Sequence, residues 1–132
     1  MNANELNSYM LYIHPPLAIA GYILIFLFTT FMFFQKKKTH KRTRLLGISA
    51  WILTFLGLFT GMLWAQLAWG SYWSWDPKEI MTLVLFLTVS LGQVVYHEKK
   101  FTAAKWLTLL ACILTILTAS TSFIIAGLHS FT

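Results

Sequence analysis

The chain has 132 residues, room for one domain, of which 58% are hydrophobic, 17% aromatic and only 11% charged. Soluble domains carry roughly a quarter charged residues, and a water-soluble chain this short could not hide so much apolar surface, so an ordinary globular protein is excluded and the bilayer is the natural solvent. The net charge of +6 would suit nucleic acid, but the basic residues fill the gaps between apolar runs instead of forming an arm, which excludes that partner and reads as membrane topology.

At the N-terminus, Met1 to Ser8 lacks a basic segment, and the apolar run that follows is too long for a signal peptide and has no small-residue cleavage site, so the first membrane segment is expected to be retained. Four apolar runs follow in order: Leu17–Phe34, Leu45–Trp69, Ile80–Tyr96 and Trp106–Leu128, of 18, 25, 17 and 23 residues. A helix needs about 20 apolar residues to cross the hydrocarbon core, and slight bilayer thinning accommodates the third. The predicted fold is all-α: a polytopic membrane protein of four transmembrane helices, over about 15–35, 45–66, 79–97 and 104–128, forming a single membrane domain over 1–132.

The first connection, Gln35 to Arg44, carries six Lys and Arg residues and no acid, and the third, His97 to Lys105, carries three. The middle connection has Lys78 alone, beside Asp76 and Glu79, and the termini have no Lys or Arg. Positive connections stay cytoplasmic. The chain is thus expected in the cytoplasmic membrane, with both termini and the middle loop outside and the basic loops inside against anionic lipid. Gly57 and Gly61 form a GxxxG pair in the second span, which reads as a site of close helix approach. The single cysteine, Cys112, excludes an internal disulfide and a CxxCH attachment site within this sequence and reads as a small buried hydrophobe.

The middle loop, Trp64 to Glu79, holds four of the six tryptophans. An interfacial belt would scatter aromatics over every span end; here they gather at one end on one side, with Tyr72 among them. In a helical start, Trp64, Ala68 and Trp69 share a face. Gly70 then lets the chain turn, and Trp73 and Trp75, two apart, point the same way in an extended stretch. Asp76-Pro77 reads as the cap and first residue of the third helix, with Glu79 in its first turn. The product is an apolar shelf rimmed by charges, suited to a flat hydrophobic ligand with a polar edge.

The string WGSYWSWDPKE resembles the WWD signature of the haem-handling proteins of cytochrome c maturation, which include CcmC-type transporters and CcsA- and CcmF-type synthase subunits. The wider segment Gly61 to Glu79 is most similar to the CcsA branch. The resemblance implies two external histidines flanking the loop as axial ligands of haem iron. His14, in the HPPLAIAGY string that is also similar to the family, and His129, just past the fourth span, fill those places. A bis-His site needs one imidazole on each face of the ring, and ligation weakens in acid because imidazole must be neutral to bind metal. Pro15 and Pro16 fit a helix start and restrict His14 to an extended backbone.

The resemblance implies a non-covalent, b-type haem held by His14 and His129 and covered by Trp64, Trp69, Tyr72, Trp73, Trp75, Asp76 and Lys78. Lys78 either pairs a haem propionate or balances Glu79, and Asp76 either orients a donor or caps the helix. His40 and His97 lie among lysines and read as solvated polar residues. No histidine falls mid-span, so the resemblance reaches one external site and no transmembrane haem: a minimal four-span member, a haem transporter, chaperone or synthase component more than a stand-alone enzyme. Its partners would be haem, lipid, other maturation subunits or a second copy, and an apocytochrome c or haem carrier. The other readings are a b-type electron-transfer subunit and a haem-free structural subunit of a membrane complex.

Overall fold

The structure, a computed structural model, describes residues 13–36 and 40–130, with the side chains of all of these except 14, 68, 69 and 121–130. It contains four helices: α1 His14–Phe34, α2 Lys41–Trp69, α3 Pro77–His97 and α4 Phe101–Ser130. Each contains a segment long and apolar enough to cross a membrane, and no strand occurs among the described residues. The chain is an integral membrane protein of the expected class.

The helix ends follow local chemistry. α1 opens with Pro15 and Pro16 in its first turn, where a missing N–H costs nothing. His14 is itself the first helical residue, so its backbone is not extended as the prolines suggested. α2 begins at Lys41, inside the basic segment, because His40 Nδ1 accepts the Arg42 N–H at 3.1 Å and caps it. Its 29 residues make a rod of about 43 Å, longer than a ~30 Å hydrocarbon core, so one end stands in the headgroup layer. α4 continues through Ser130, which puts His129 in its last turn instead of beyond it.

Residue pairs between helices give the topology. Gly57 of α2 lies against Ala18 of α1, Gly21 against Leu53 and Thr54, and Gly47 against Phe28. Positions that rise along α1 fall along α2, so the pair is antiparallel. Gln93 facing Gly47 and Trp51 bonded to Ser90 give the same sense for α2 and α3, as do Gly92 with Leu107 for α3 and α4, and Thr29 with Thr108 and Phe33 with Trp106 for α4 and α1. The helices form an up-down-up-down ring. The hairpins α1–α2 and α3–α4 pack most extensively, and the seams α1–α4 and α2–α3 less so.

Small residues set the tight α1–α2 spacing. A Cβ on Gly21 would stand 3.4 Å from the α2 backbone, and one on Gly57 would stand 3.6 Å from Ala18 Cα, the close approach expected of small residues in membrane helices. The core centres on Ile25, Ala50, Leu85, Val89, Ala111 and Cys112, with a second cluster of Phe28, Met32, Tyr96 and Ala104 toward the basic end. Cys112 is buried as expected, but it is not merely apolar filling. Its Sγ lies 3.1 Å from Thr29 Oγ1, which also meets Thr108 Oγ1 at 2.7 Å and donates to Ile25 O. Such bonds across helices in lipid contribute about 1 kcal/mol each.

Because the helices alternate in direction, the start of α1, the end of α2, the start of α3 and the end of α4 gather at one end of the ring, with the tryptophan loop. Among the described residues, seven of the eight Lys and Arg residues belong to the opposite end.

Candidate functional site

The loop is shaped by its two flanking helix ends. α2 stops where Gly70 takes a left-handed conformation, φ 79°, and its N–H returns to Gln66 O at 2.9 Å; glycine adopts this conformation without steric penalty. α3 starts where the Asp76 carboxylate accepts the Glu79 N–H at 2.8 Å, with Pro77 opening the helix. Gly70 and Asp76-Pro77 therefore act as their residue types predicted.

Glu79 does more than sit in the first turn. Its Oε2 accepts the backbone N–H groups of both Ser74 and Trp75, each at 2.8 Å, while Ser74 Oγ meets Oε1 at 3.3 Å. Asp76 and Glu79 thus form a capping box whose glutamate reaches past the cap into the loop. The clamp matters because Trp75 has φ 61°, a conformation costly for a bulky side chain. Trp73 and Trp75 are therefore not successive residues of a plain extended strand. Their rings still meet, edge to face, with centroids 5.4 Å apart. Ser71 Oγ donates to Trp73 O at 2.9 Å and closes the near side of the turn.

Between this loop and the upper α2–α3 seam lies a cleft of about 80 Å³. Gly57 and Gly61 leave its floor open, and Trp64, Tyr72 and Trp73 supply aromatic walls. The GxxxG pair thus has a second consequence, since Gly57, which admits α1, also makes room beneath the loop together with Gly61. Lys78 stands at the rim with Nζ over the Trp64 ring, 5.9 Å from its centroid. It is not the counter-charge of Glu79, whose oxygens are taken by the loop N–H groups. Trp73 Nε1 is buried, with no hydrogen-bond partner among the described residues. An adjoining hollow of about 40 Å³ continues past Lys78 and Thr82 toward Tyr22 of α1.

Of the residues singled out in the sequence, Trp64, Tyr72, Trp73, Asp76 and Lys78 line one cleft. Trp75 stands outside it, 66% exposed, against Trp73. The side chains of His14, Trp69 and His129 lie outside the described residues; the backbone ends that carry the two histidines belong to the loop end of the ring. Glu79 and Thr82 were not anticipated. The spacing Asp-x-x-Glu before an apolar run was the available signal for Glu79.

The described residues thus form an aromatic, cation-rimmed cleft at one end of a four-helix membrane bundle. The chain belongs to the cytochrome C assembly protein family, whose model matches residues 2–129. Among its relatives, a cytochrome c biogenesis protein CcsA of Amborella trichopoda is 42% identical over 60 residues, covering 46% of this chain and 18% of the relative. The CcsA of Prochlorococcus marinus (strain MIT 9515) is 34% identical over 88 residues, covering 61% and 27%. That of Gloeothece citriformis (strain PCC 7424) is 50% identical over 44 residues, covering 33% and 13%. The alignments with these relatives thus span 13–27% of the relatives' own length. No solved structure matches the chain.

Proposed function

We propose that the chain holds a b-type haem non-covalently at the loop end of the bundle and handles or delivers it for cytochrome c assembly. The observation that carries this reading is the cleft, where Trp64, Tyr72 and Trp73 offer aromatic surface and Lys78 a cation that pairs with no carboxylate among the described residues.

The fit of the described residues to such a group can be judged from volume and polarity. Ligand pockets for molecules of drug size run to about 300–1,000 Å³, so a cleft of about 80 Å³ takes an edge and not a whole macrocycle. An edge is what a shelf requires: aromatic rings contribute apolar contact and stacking, and the remainder of the ring stays accessible for transfer. The polar groups suit the carboxylate edge of a porphyrin. Lys78 supplies charge, and the buried Trp73 N–H supplies a donor without an acceptor among the described residues. When bound, the haem supplies an iron centre that takes axial imidazoles. Among the described residues there is no cluster of three or more His, Cys, Asp or Glu, so in this reading ligation rests on His14 and His129. Asp76 and Glu79 act indirectly, by holding the loop.

This assignment places the termini and loop on the outer side and the basic connections inside. In this reading other maturation subunits or a second copy are partners, with an apocytochrome c or haem carrier as acceptor. The test is haem content after purification in mild detergent. A Soret band is expected, lost in a His14→Ala/His129→Ala double variant and diminished as pH falls into the range where imidazole protonates. Protein without a Soret band, or with the same band in the double variant, overturns the assignment. Trp73→Phe combined with Lys78→Gln keeps an aromatic wall but removes both polar groups, and should weaken haem retention while leaving helicity unchanged.

A further inference from the structure

At the opposite end of the α2–α3 seam lies a second and larger concavity, a groove of about 520 Å³ lined by Ile48, Trp51, Ser90, Gln93, Val94 and His97. It opens sideways toward lipid, with Trp51, Ile48 and Val94 exposed along it. Its inner limit is an aromatic floor: Trp51 donates to Ser90 Oγ at 2.8 Å, and Trp51, Phe55 and Phe86 pack with centroids 5.9–6.1 Å apart. Its other limit is the basic end of the bundle.

Two observations say what fits there. The first is charge. Lys41, Arg44, Ile48 and Trp51 follow one another along α2 at helical spacing, so the apolar wall leads up to two cations. The Arg44 guanidinium is within electrostatic range of Tyr96, next to His97 at the end of α3. The one acid at this end, Glu98, is paired with Lys100 at 3.7 Å, which leaves the mouth of the groove positive. The second is an unfilled polar group. Gln93 is 9% exposed, and among the described residues its Oε1 has no hydrogen-bond partner. The fold makes room for this amide: a Cβ on Gly47 would come within 2.7 Å of it. An amide this close to the helix end marks a polar level in the groove, where interfacial water can reach its oxygen. Gln93 lies one helical turn, about 6 Å, inside His97, which matches the depth of lipid ester groups beneath a headgroup.

We infer that this groove seats one anionic phospholipid, its phosphate against Arg44 and His97, its ester region at the Gln93 amide and one acyl chain along Ile48, Trp51 and Val94. Basic pockets between transmembrane helices recognise anionic headgroups in this manner. At the ester level, lipid carbonyls accept from the Gln93 amide N–H, and interfacial water donates to its oxygen.

The test uses the full chain in mild detergent, offered equal amounts of dioleoyl-phosphatidylglycerol and dioleoyl-phosphatidylcholine and weighed by native mass spectrometry. The expected result is one retained phosphatidylglycerol, preferred about tenfold. Arg44→Gln/His97→Gln should bring the preference close to unity, and Ile48→Trp, which fills the groove with the charges intact, should remove the bound lipid. Lys36→Gln/Lys105→Gln, also at the basic end, should leave the preference in place. The inference is overturned by the absence of any preference, by equal loss in the Lys36/Lys105 pair, by lipid that survives Ile48→Trp, or by a lipid-free dimer in which a second copy covers the groove.

Discussion

The two connections made by α3, one at each end, solve the same backbone problem by different means. Each contains a non-glycine residue in the left-handed region, Trp75 at φ 61° and Lys99 at φ 63°. At the basic end the backbone alone holds the turn: Lys99 N–H returns to Tyr96 O at 3.0 Å and Lys100 N–H to Val95 O at 2.9 Å, the paired bonds of a Schellman ending. Any residue tolerant of positive φ would serve there, and glycine best. At the loop end, the side-chain carboxylate of Glu79 holds Trp75 in place, and the strained residue is itself part of the aromatic surface. Strain in the first case is an incidental cost of a short turn; in the second it accompanies the placement of a particular ring.

Glu79→Ala should break this contrast most strongly. Two charge-assisted bonds to the loop backbone and the contact with the Ser74 hydroxyl disappear, for a loss of about 2 kcal/mol. The loop should become a cleavage site for added protease, and thermal unfolding in micelles should move downward; an unchanged loop would show that the clamp is dispensable. Asp76→Ala removes the cap but leaves the Glu79 clamp, and about 1 kcal/mol is expected in the same measurement. Lys99→Gly should do the opposite and stabilise by about 1 kcal/mol, since the left-handed penalty of a side chain is relieved with every backbone bond retained. Trp75→Gly sharpens the comparison best. It relieves the same penalty but gives up the ring contact with Trp73, worth about 0.5–1.5 kcal/mol, so stability should hardly move while haem retention falls.

The four helices were legible in the sequence because runs of 17–25 apolar residues bounded by basic segments admit few other structures. Their ends were less so. The start of α2 depends on the His40 side chain folding back onto the Arg42 N–H, which an apolar count does not register. In the loop, Gly70 and Asp76-Pro77 were readable because each residue type has a narrow backbone preference. Trp75 was not, because its conformation opposes its own preference and exists only while Glu79 holds it. The place of Lys78 was equally hidden. Whether it faces Glu79 or Trp64 depends on how α2 sits beside α3, and the structure decides for Trp64. The histidines expected to bind iron remain a proposal resting on the family pattern and on helix direction.

The hydroxyl and thiol cluster of Thr29, Thr108 and Cys112 gives the ring an asymmetry. It fastens one of the two sparsely packed seams, α1 to α4, with several polar contacts. On the other seam Trp51 is bonded to Ser90, and that side carries both the cleft and the groove. Thr29 and Cys112 also line a concavity of about 400 Å³ on the α1–α4 side, between Phe26 and Leu109, so the two hairpins are tied by polar contacts where their flank lies open to lipid.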